Sequence, residues 1–210
     1  MKCLHQTVVV LLVLLASSQA SWDNNFDCWG LNLVLSGFHG TRLPLDYCIT
    51  KNLNLYKLHE NLTTWNEARK ICLAEGAHLA VINSKEEADL LSALFKNSQL
   101  MNRRNHANKG MFVGFHDLFQ EREFVTVLDE PLDKTGYNTW TREWGGQPDN
   151  GKQPRRSEKS QDCGALSHDG GLDDVGCSWK LGFICEIPIE PRSRLALTRN
   201  FIFRGNRFML

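Results

Sequence analysis

No apolar run in the 210-residue chain reaches the roughly 20 residues that a transmembrane helix needs. No cysteine pair has the CxxC spacing of a zinc or redox motif. The seven histidines fall into no HExxH, Ser/His/Asp or Cys/His arrangement. A membrane-spanning protein, a zinc module and an enzyme therefore have little to stand on. There is also no basic domain with interleaved aromatics, so nucleic acid is not an expected partner. Internal repeats and low-complexity tracts are missing too, which leaves a chain suited to one domain with extensions.

What is present begins with a leader. Lys2 gives a short positive start, Thr7 to Ala16 is an apolar run, and Ser18-Gln19-Ala20 has the small residues of a cleavage site. Residues 1–20 are thus expected to be a signal peptide, and the mature protein secreted. Cleavage removes Cys3 and leaves Cys28, Cys48, Cys72, Cys163, Cys177 and Cys185. An even count in an oxidising compartment argues for three disulfides, with the pairing open. Asn61-Leu62-Thr63 is a glycosylation sequon, so Asn61 is expected at the surface. Formal charge is zero overall but unevenly placed. Ser21 to Glu186 carries 18 Lys and Arg against 23 Asp and Glu, whereas Ile187 to Leu210 has five arginines against Glu190 alone. The pattern is an acidic body with a basic tail, where Arg alternates with large apolar residues as in a hairpin, a frayed end or an arm for anionic surfaces.

Residues 21–50 lack a clean period and form a short extension carrying Cys28 and Cys48. Leu53 to His59 alternates loosely as a first strand. Thr64-Trp65-Asn66-Glu67 is a capping box that opens a helix, with Trp65, Ala68 and Cys72 on one face and Gly76 at its stop. Ser84-Lys85-Glu86-Glu87 opens a second helix, with Ala88, Leu91 and Phe95 at helical spacing. Asn102 to Lys109 is a polar loop, Met111 to Phe115 an apolar run, and Glu121 to Leu128 a mixed strand candidate. Strands return at Cys163 to Leu166 and Trp179 to Ile187 after a region rich in Gly and Pro. Two helices followed by short strands and a long loop indicate an α+β domain.

One stretch inside that loop stands out: Trp144-Gly145-Gly146-Gln147-Pro148-Asp149-Asn150. Proline here excludes helix and inner strand. A cis Gln147–Pro148 bond would make a tight turn that sends two oxygen-bearing side chains the same way. A plain surface turn is the other reading.

From about Tyr56 to Glu186, the order of features resembles the C-type lectin-like domain. The resemblance rests on the Trp65–Cys72 helix, the Glu75-Gly76-Ala77-His78-Leu79-Ala80 exit, and Phe112-Val113-Gly114-Phe115, which is similar to the family's central strand. It continues through Trp140, the Gln147-Pro148-Asp149 turn, Gln161-Asp162-Cys163, Asp173-Asp174-Val175-Gly176-Cys177 and Phe183-Ile184-Cys185-Glu186. It implies a C-type lectin-like fold over residues 51–188, with two helices, short antiparallel sheets and a long calcium and sugar-binding loop region. A basic tail over residues 189–210 follows. It also implies disulfides Cys72–Cys185 and Cys163–Cys177, leaving Cys28 with Cys48. By the same resemblance Ca2+ is held by Gln147, Asp149, Gln161, Asp173 and Asp174, and sugar hydroxyls meet Gln147, Asp149, Gln161 and Asp173. The QPD turn resembles that of galactose-type lectins.

Three departures qualify the match. Gln161 stands where the family commonly has Glu, and Asp173 where it has Asn, so the set keeps three carboxylates and two amide–carboxylate pairs. No aromatic follows the QPD turn in the way that stacks on galactose elsewhere. His168 or Trp179 could substitute, although Trp179 also suits the core, and Arg155 and Arg156 would suit an acidic saccharide or a solvated loop. The leading expectation is a secreted, calcium-dependent lectin for galactose-like or other glycans on cell or microbial surfaces, with a role in innate recognition. The alternative is a calcium-independent module binding protein or anionic surfaces. Weak single-site binding would favour multivalency, but no collagen-like or heptad segment specifies an oligomer.

Overall fold

A computed structural model describes residues 26–27, 47–50, 54–103, 106–151 and 160–188. The leader, Cys28 and its pairing, Arg155 and Arg156, and the basic tail lie outside the described residues. In chain order the elements are β1 (Phe26–Asp27), β2 (Cys48–Thr50), β3 (Leu55–Thr63), α1 (Trp65–Ala74), β4 (His78–Leu79), α2 (Lys85–Lys96), β5 (Gly110–His116), β6 (Val125–Thr126), β7 (Cys163–Ser167), β8 (Leu172–Val175) and β9 (Leu181–Ile187). Short 3-10 turns occupy the polar loop before β5 and parts of the long loop.

Both helices begin where their caps predict. The Thr64 hydroxyl accepts from the Glu67 N–H at 3.4 Å, and Ser84 accepts from Glu87 N–H at 3.2 Å. The reciprocal half of each capping box is not made. Glu67 pairs with Lys70, and Glu87 turns inward to the Tyr56 hydroxyl and the Asn83 N–H. On α1, Trp65, Ala68 and Cys72 are buried; on α2, Ala88, Leu91 and Phe95 are. Beyond α1, Gly76 takes φ +74°, a left-handed position that suits a residue without Cβ, and Ala77 N–H closes the turn on Cys72 carbonyl.

The strands form one sheet in the order β1-β2-β3-β9-β5-β7-β8, with β4 on β9 and β6 on β5. Pairing is antiparallel except between β5 and β9, which meet in parallel at Phe112 and Phe183. That contact joins the short antiparallel segments into a single network. α1 packs on one side of this junction against Leu79, Phe112, Val175 and Phe183. α2 packs with Tyr56, Met111, Val113, Leu172 and Ile184. β5 is buried along its whole length, and a Cβ on Gly114 would overlap the Leu79 carbonyl oxygen. The strand can approach β4 so closely only because that side chain is missing.

Two elements differ from the sequence reading. The strand expected over Glu121–Leu128 shrinks to Val125–Thr126, because a turn competes for its first half. Arg122 adopts φ +67° and donates its N–H to the Asp117 carboxylate at 2.8 Å. β8, which the sequence reading did not propose, carries two adjacent acids between Leu172 and Val175 and is buried throughout.

Both disulfides implied within the described residues are formed. Cys72–Cys185 ties α1 to β9 across 113 residues, and Cys163–Cys177 ties the start of β7 to the turn after β8. Closing a loop as long as the first stabilises by about 4–5 kcal/mol on a chain-entropy account. Asn61 is exposed, in a stretch of β3 where the register with β9 shifts.

Candidate functional site

The five oxygen-bearing side chains singled out above come from three segments. Gln147 and Asp149 flank Pro148 in the long loop, and the Gln147–Pro148 peptide is cis. Gln161 enters β7 two residues before Cys163, while Asp173 and Asp174 belong to β8. The β7–β8 ladder sets Asp173 opposite Ala165 and Asp174 opposite Gly164. Gln147, Asp149, Gln161 and Asp173 all line one open pocket. Asp174 is 1% exposed, behind the turn that carries Gln147 and Asp149.

Short polar side chains hold the turn in place. Asp174 accepts the N–H groups of Asp149 (3.0 Å) and Asn150 (2.6 Å), one on each carboxylate oxygen. Gln147 Oε1 accepts the Asp149 N–H, and Asp149 Oδ1 accepts the Gly151 N–H, both at 2.9 Å. Asn150 sits at φ +49°, which its short amide tolerates. Its Oδ1 accepts the Gln161 N–H at 2.7 Å, and its Nδ2 donates to Glu121 at 2.7 Å. The loop and the strand end are thereby locked together through a single asparagine.

Two acceptors in this network stay unsatisfied. Gln161 Oε1 and Asp173 Oδ1 are buried with no hydrogen-bond partner. Each such group costs about 1–3 kcal/mol. Burial, followed by the nearby Asp174 and Asp149 charges, pushes the Asp173 carboxyl up to about 8, with Lys109 opposing. Burial also raises Asp174, against the lowering by its two N–H donors. The site is short of positive charge and offers only carboxylate and amide oxygens. That donor set suits a hard cation such as Ca2+, not zinc, and the unsatisfied buried oxygens fit the same ion.

The remaining pocket wall includes residues that the sequence reading did not place there. Trp144, at φ +59° and 41% exposed, lines it from before the turn instead of after. Lys109 Nζ lies 4.2 Å from the centre of the Trp144 ring, within cation–π range. Trp179 is 7% exposed in the core and also forms part of the pocket wall. His168 instead pairs with Glu143 at 3.1 Å. A tryptophan beside two glycines and the QPD turn was the available signal for Trp144. Nothing in the sequence marked Lys109, which comes from the polar loop before β5.

Elsewhere, Glu87 and Glu186 form a second buried acid group. Glu87 accepts from the Tyr56 hydroxyl (2.5 Å) and Asn83 N–H (2.9 Å). Glu186 accepts from Asn54 Nδ2 (3.1 Å) and Val81 N–H (3.0 Å). Burial above all holds both carboxyls up, at about 7. A third grouping, His59, Glu75 and Cys185, is not a metal centre. Cys185 is in a disulfide, and Glu75 already takes Tyr47, Lys57 and His59.

The family model "Lectin C-type domain" matches residues 61–187, and the chain belongs to the C-type lectin domain family. It is 38% identical over 148 residues to the hemolymph lipopolysaccharide-binding protein of Periplaneta americana, covering 70% of this chain and 54% of that protein. It is 31% identical over 134 residues to a lectin of Pleurodeles waltl, covering 62% of this chain and 68% of that one. The chain thus spans about half the length of the first relative and about two thirds of the second. Among solved structures, the mouse scavenger receptor C-type lectin carbohydrate-recognition domain superposes with TM-score 0.50 at 25% identity. That match covers 65% of this chain and 92% of that domain.

Proposed function

We propose that this protein is a secreted, calcium-dependent lectin biased toward galactose-like sugars. Gln147, Asp149, Gln161, Asp173 and Asp174 hold Ca2+, and the first four also meet the sugar. The observation that carries this reading is the pair of buried, unpartnered oxygens on Gln161 and Asp173, which share a pocket with Gln147 and Asp149. When bound, Ca2+ supplies the charge that three carboxylates call for and positions for sugar hydroxyl oxygens.

The chain's own groups divide the remaining work. A sugar hydroxyl donates one hydrogen bond and accepts another, so it needs a carboxylate and an amide as neighbours. Asp149 with Gln147 makes one such pair, and Asp173 with Gln161 makes the other. Asp174 fixes the turn through its two backbone donors. Exchanging the usual acid and amide between positions 161 and 173 leaves both the charge and the pairing intact.

The relative named for hemolymph and lipopolysaccharide supports secretion and a target on microbial surfaces. The leader pattern of residues 1–20 supports the same compartment, and no helix among the described residues is long and apolar enough to cross a membrane. The exposed position of Asn61 supports its glycosylation. The domain runs from residue 51 to 188, between an extension carrying the Cys28–Cys48 disulfide and the basic tail, and has no catalytic role.

Calorimetric titration with calcium, then with methyl galactoside and methyl mannoside, tests the proposal. Calcium uptake followed by tighter galactoside binding is expected, with both signals abolished by chelator. Sugar or protein binding that persists in chelator would establish the calcium-independent alternative instead.

A further inference from the structure

The β7–β8 hairpin grips the proline turn from both sides. After the proline, Asp174 accepts the N–H groups of Asp149 and Asn150. Before it, the contact is Thr141, which is 2% exposed. Thr141 donates its N–H to the Leu172 carbonyl at 2.8 Å, and its own carbonyl accepts the Gln147 N–H at 3.1 Å. Its hydroxyl donates to Asp169 Oδ2 at 2.7 Å and accepts the Glu143 N–H at 3.1 Å. Asp169 is exposed in the turn between β7 and β8, and its other oxygen takes the Gly171 N–H at 2.9 Å. Hairpin and loop are pressed together here, since a Cβ on Gly171 would overlap the Thr141 backbone.

The stretch that follows Thr141 needs such a peg. Gly145 and Gly146 precede Gln147 at φ +101° and +88°. Glycines in that region keep the widest backbone freedom and bring no side chain to pack. The position of Gln147 therefore depends on the bond from its N–H back to Thr141 and on its own bond to the Asp149 N–H. Thr141 is in turn fixed by a hydrogen bond to a carboxylate, which is stronger than one between neutral groups.

We infer that Asp169, acting through Thr141, is a positioning residue that sets Gln147 in the ion- and sugar-binding turn. The inference rests on the lectin reading above and adds two residues outside the proposed ligand set. Asp174 anchors the turn by direct contact, whereas Asp169 anchors it at second hand from a surface position.

The test is calcium calorimetry of the full-length protein, with stability measured by chemical denaturation of the same samples. Asp169→Ala removes an exposed acceptor and opens no cavity, and calcium affinity should fall about ten-fold. Thr141→Val should weaken calcium similarly, while Thr141→Ser keeps the hydroxyl and should stay within about two-fold of the parent. The deciding readout is dependence on Gln147. A Gln147→Ala chain should bind calcium more weakly, and adding Asp169→Ala to it should change affinity by less than about two-fold. A merely structural role would lower stability and weaken calcium equally in both backgrounds. Equal losses, or an Asp169→Ala chain that binds calcium like the parent, overturn the inference and leave the lectin reading standing. A parent that takes up no calcium overturns the lectin reading and this inference with it.

Discussion

Glu87 and Glu186 on one hand, and Asp149, Asp173 and Asp174 on the other, are both groups of carboxylates drawn away from water, yet their surroundings are unlike. The glutamates spend their oxygens on protein donors from β3, the residue before it, and the segment between β4 and α2. Among the aspartates, Asp174 is satisfied by backbone N–H groups, but Asp173 keeps a buried oxygen with no partner beside an open pocket. Burial raises the carboxyls of Asp173, Asp174 and both glutamates, so perturbed acidity alone does not separate the groups. The unfilled acceptor next to a cavity does. A satisfied acid cluster serves as framework, and an unsatisfied one facing a pocket is the candidate for binding.

The sharpest way to break the comparison is to remove the acid that organises the aspartates. Asp174→Ala deletes a proposed ligand and both turn bonds, but touches neither disulfide nor the apolar faces of the helices. Calcium affinity by calorimetry should fall by more than about 100-fold, while far-UV circular dichroism stays that of the parent. Unchanged calcium affinity would remove Asp174 from the site.

A smaller effect tests whether positions 161 and 173 act together. Gln161→Glu alone adds a fourth carboxylate and takes away an amide donor, so calcium should bind more tightly and galactoside about ten-fold more weakly. Adding Asp173→Asn restores three carboxylates and both mixed pairs. Galactoside affinity of the double variant should return to at least that of the parent. A double variant as weak as the single one would show that the two positions are uncoupled.

The glutamate pair should have the smallest effect on calcium and sugar binding, and its variants test stability instead. Their folded pKa values, about 7, lie above the ordinary 4.5. Between those values the folded chain holds protons that the unfolded chain has released, so stability falls as pH rises through this window and is highest below it. His78, lowered by burial, works against this on the acid side of its ordinary value. The acids' share is isolated by comparing Glu87→Gln with Glu186→Gln and the double variant. The parent should lose on the order of 5 kcal/mol from pH 5 to 8 relative to the double variant in chemical denaturation. Parallel pH profiles would mean that the glutamates ionise as they do in water.

Much of this was legible because the responsible signals are local. Thr64 and Ser84 announce their helices through a hydroxyl three residues from an N–H, and the apolar stripes follow at fixed spacing. β5 was readable as an apolar run because it is buried on both faces. The turn at Arg122 was not, since a non-glycine residue at positive φ depends on the distant decision of Asp117 to accept its N–H. β8 was missed because two acids in a row oppose strand burial, and Asp174 is paired only by the N–H groups of Asp149 and Asn150, about 25 residues away in sequence, while Asp173 keeps an unpartnered oxygen. Within the site, the proposed ligands were marked by their motif, whereas Lys109 becomes part of the pocket only through tertiary placement.

The ladder that puts Asp173 across from Ala165 and Asp174 across from Gly164 also decides which changes of chain length the protein can absorb. Successive strand residues face opposite ways, so losing one residue between Gly164 and Leu172 threatens to swap the outward and inward acids, unless the β7–β8 turn takes up the slack. The bridge from Cys163 to Cys177 fastens the far end of the same ladder and resists such slippage. Gln147 and Asp149 obey no ladder. Related chains should therefore vary in loop length around the proline turn while keeping the β7–β8 spacing constant, so that new specificities arise by editing the loop over an unvarying pair of strands.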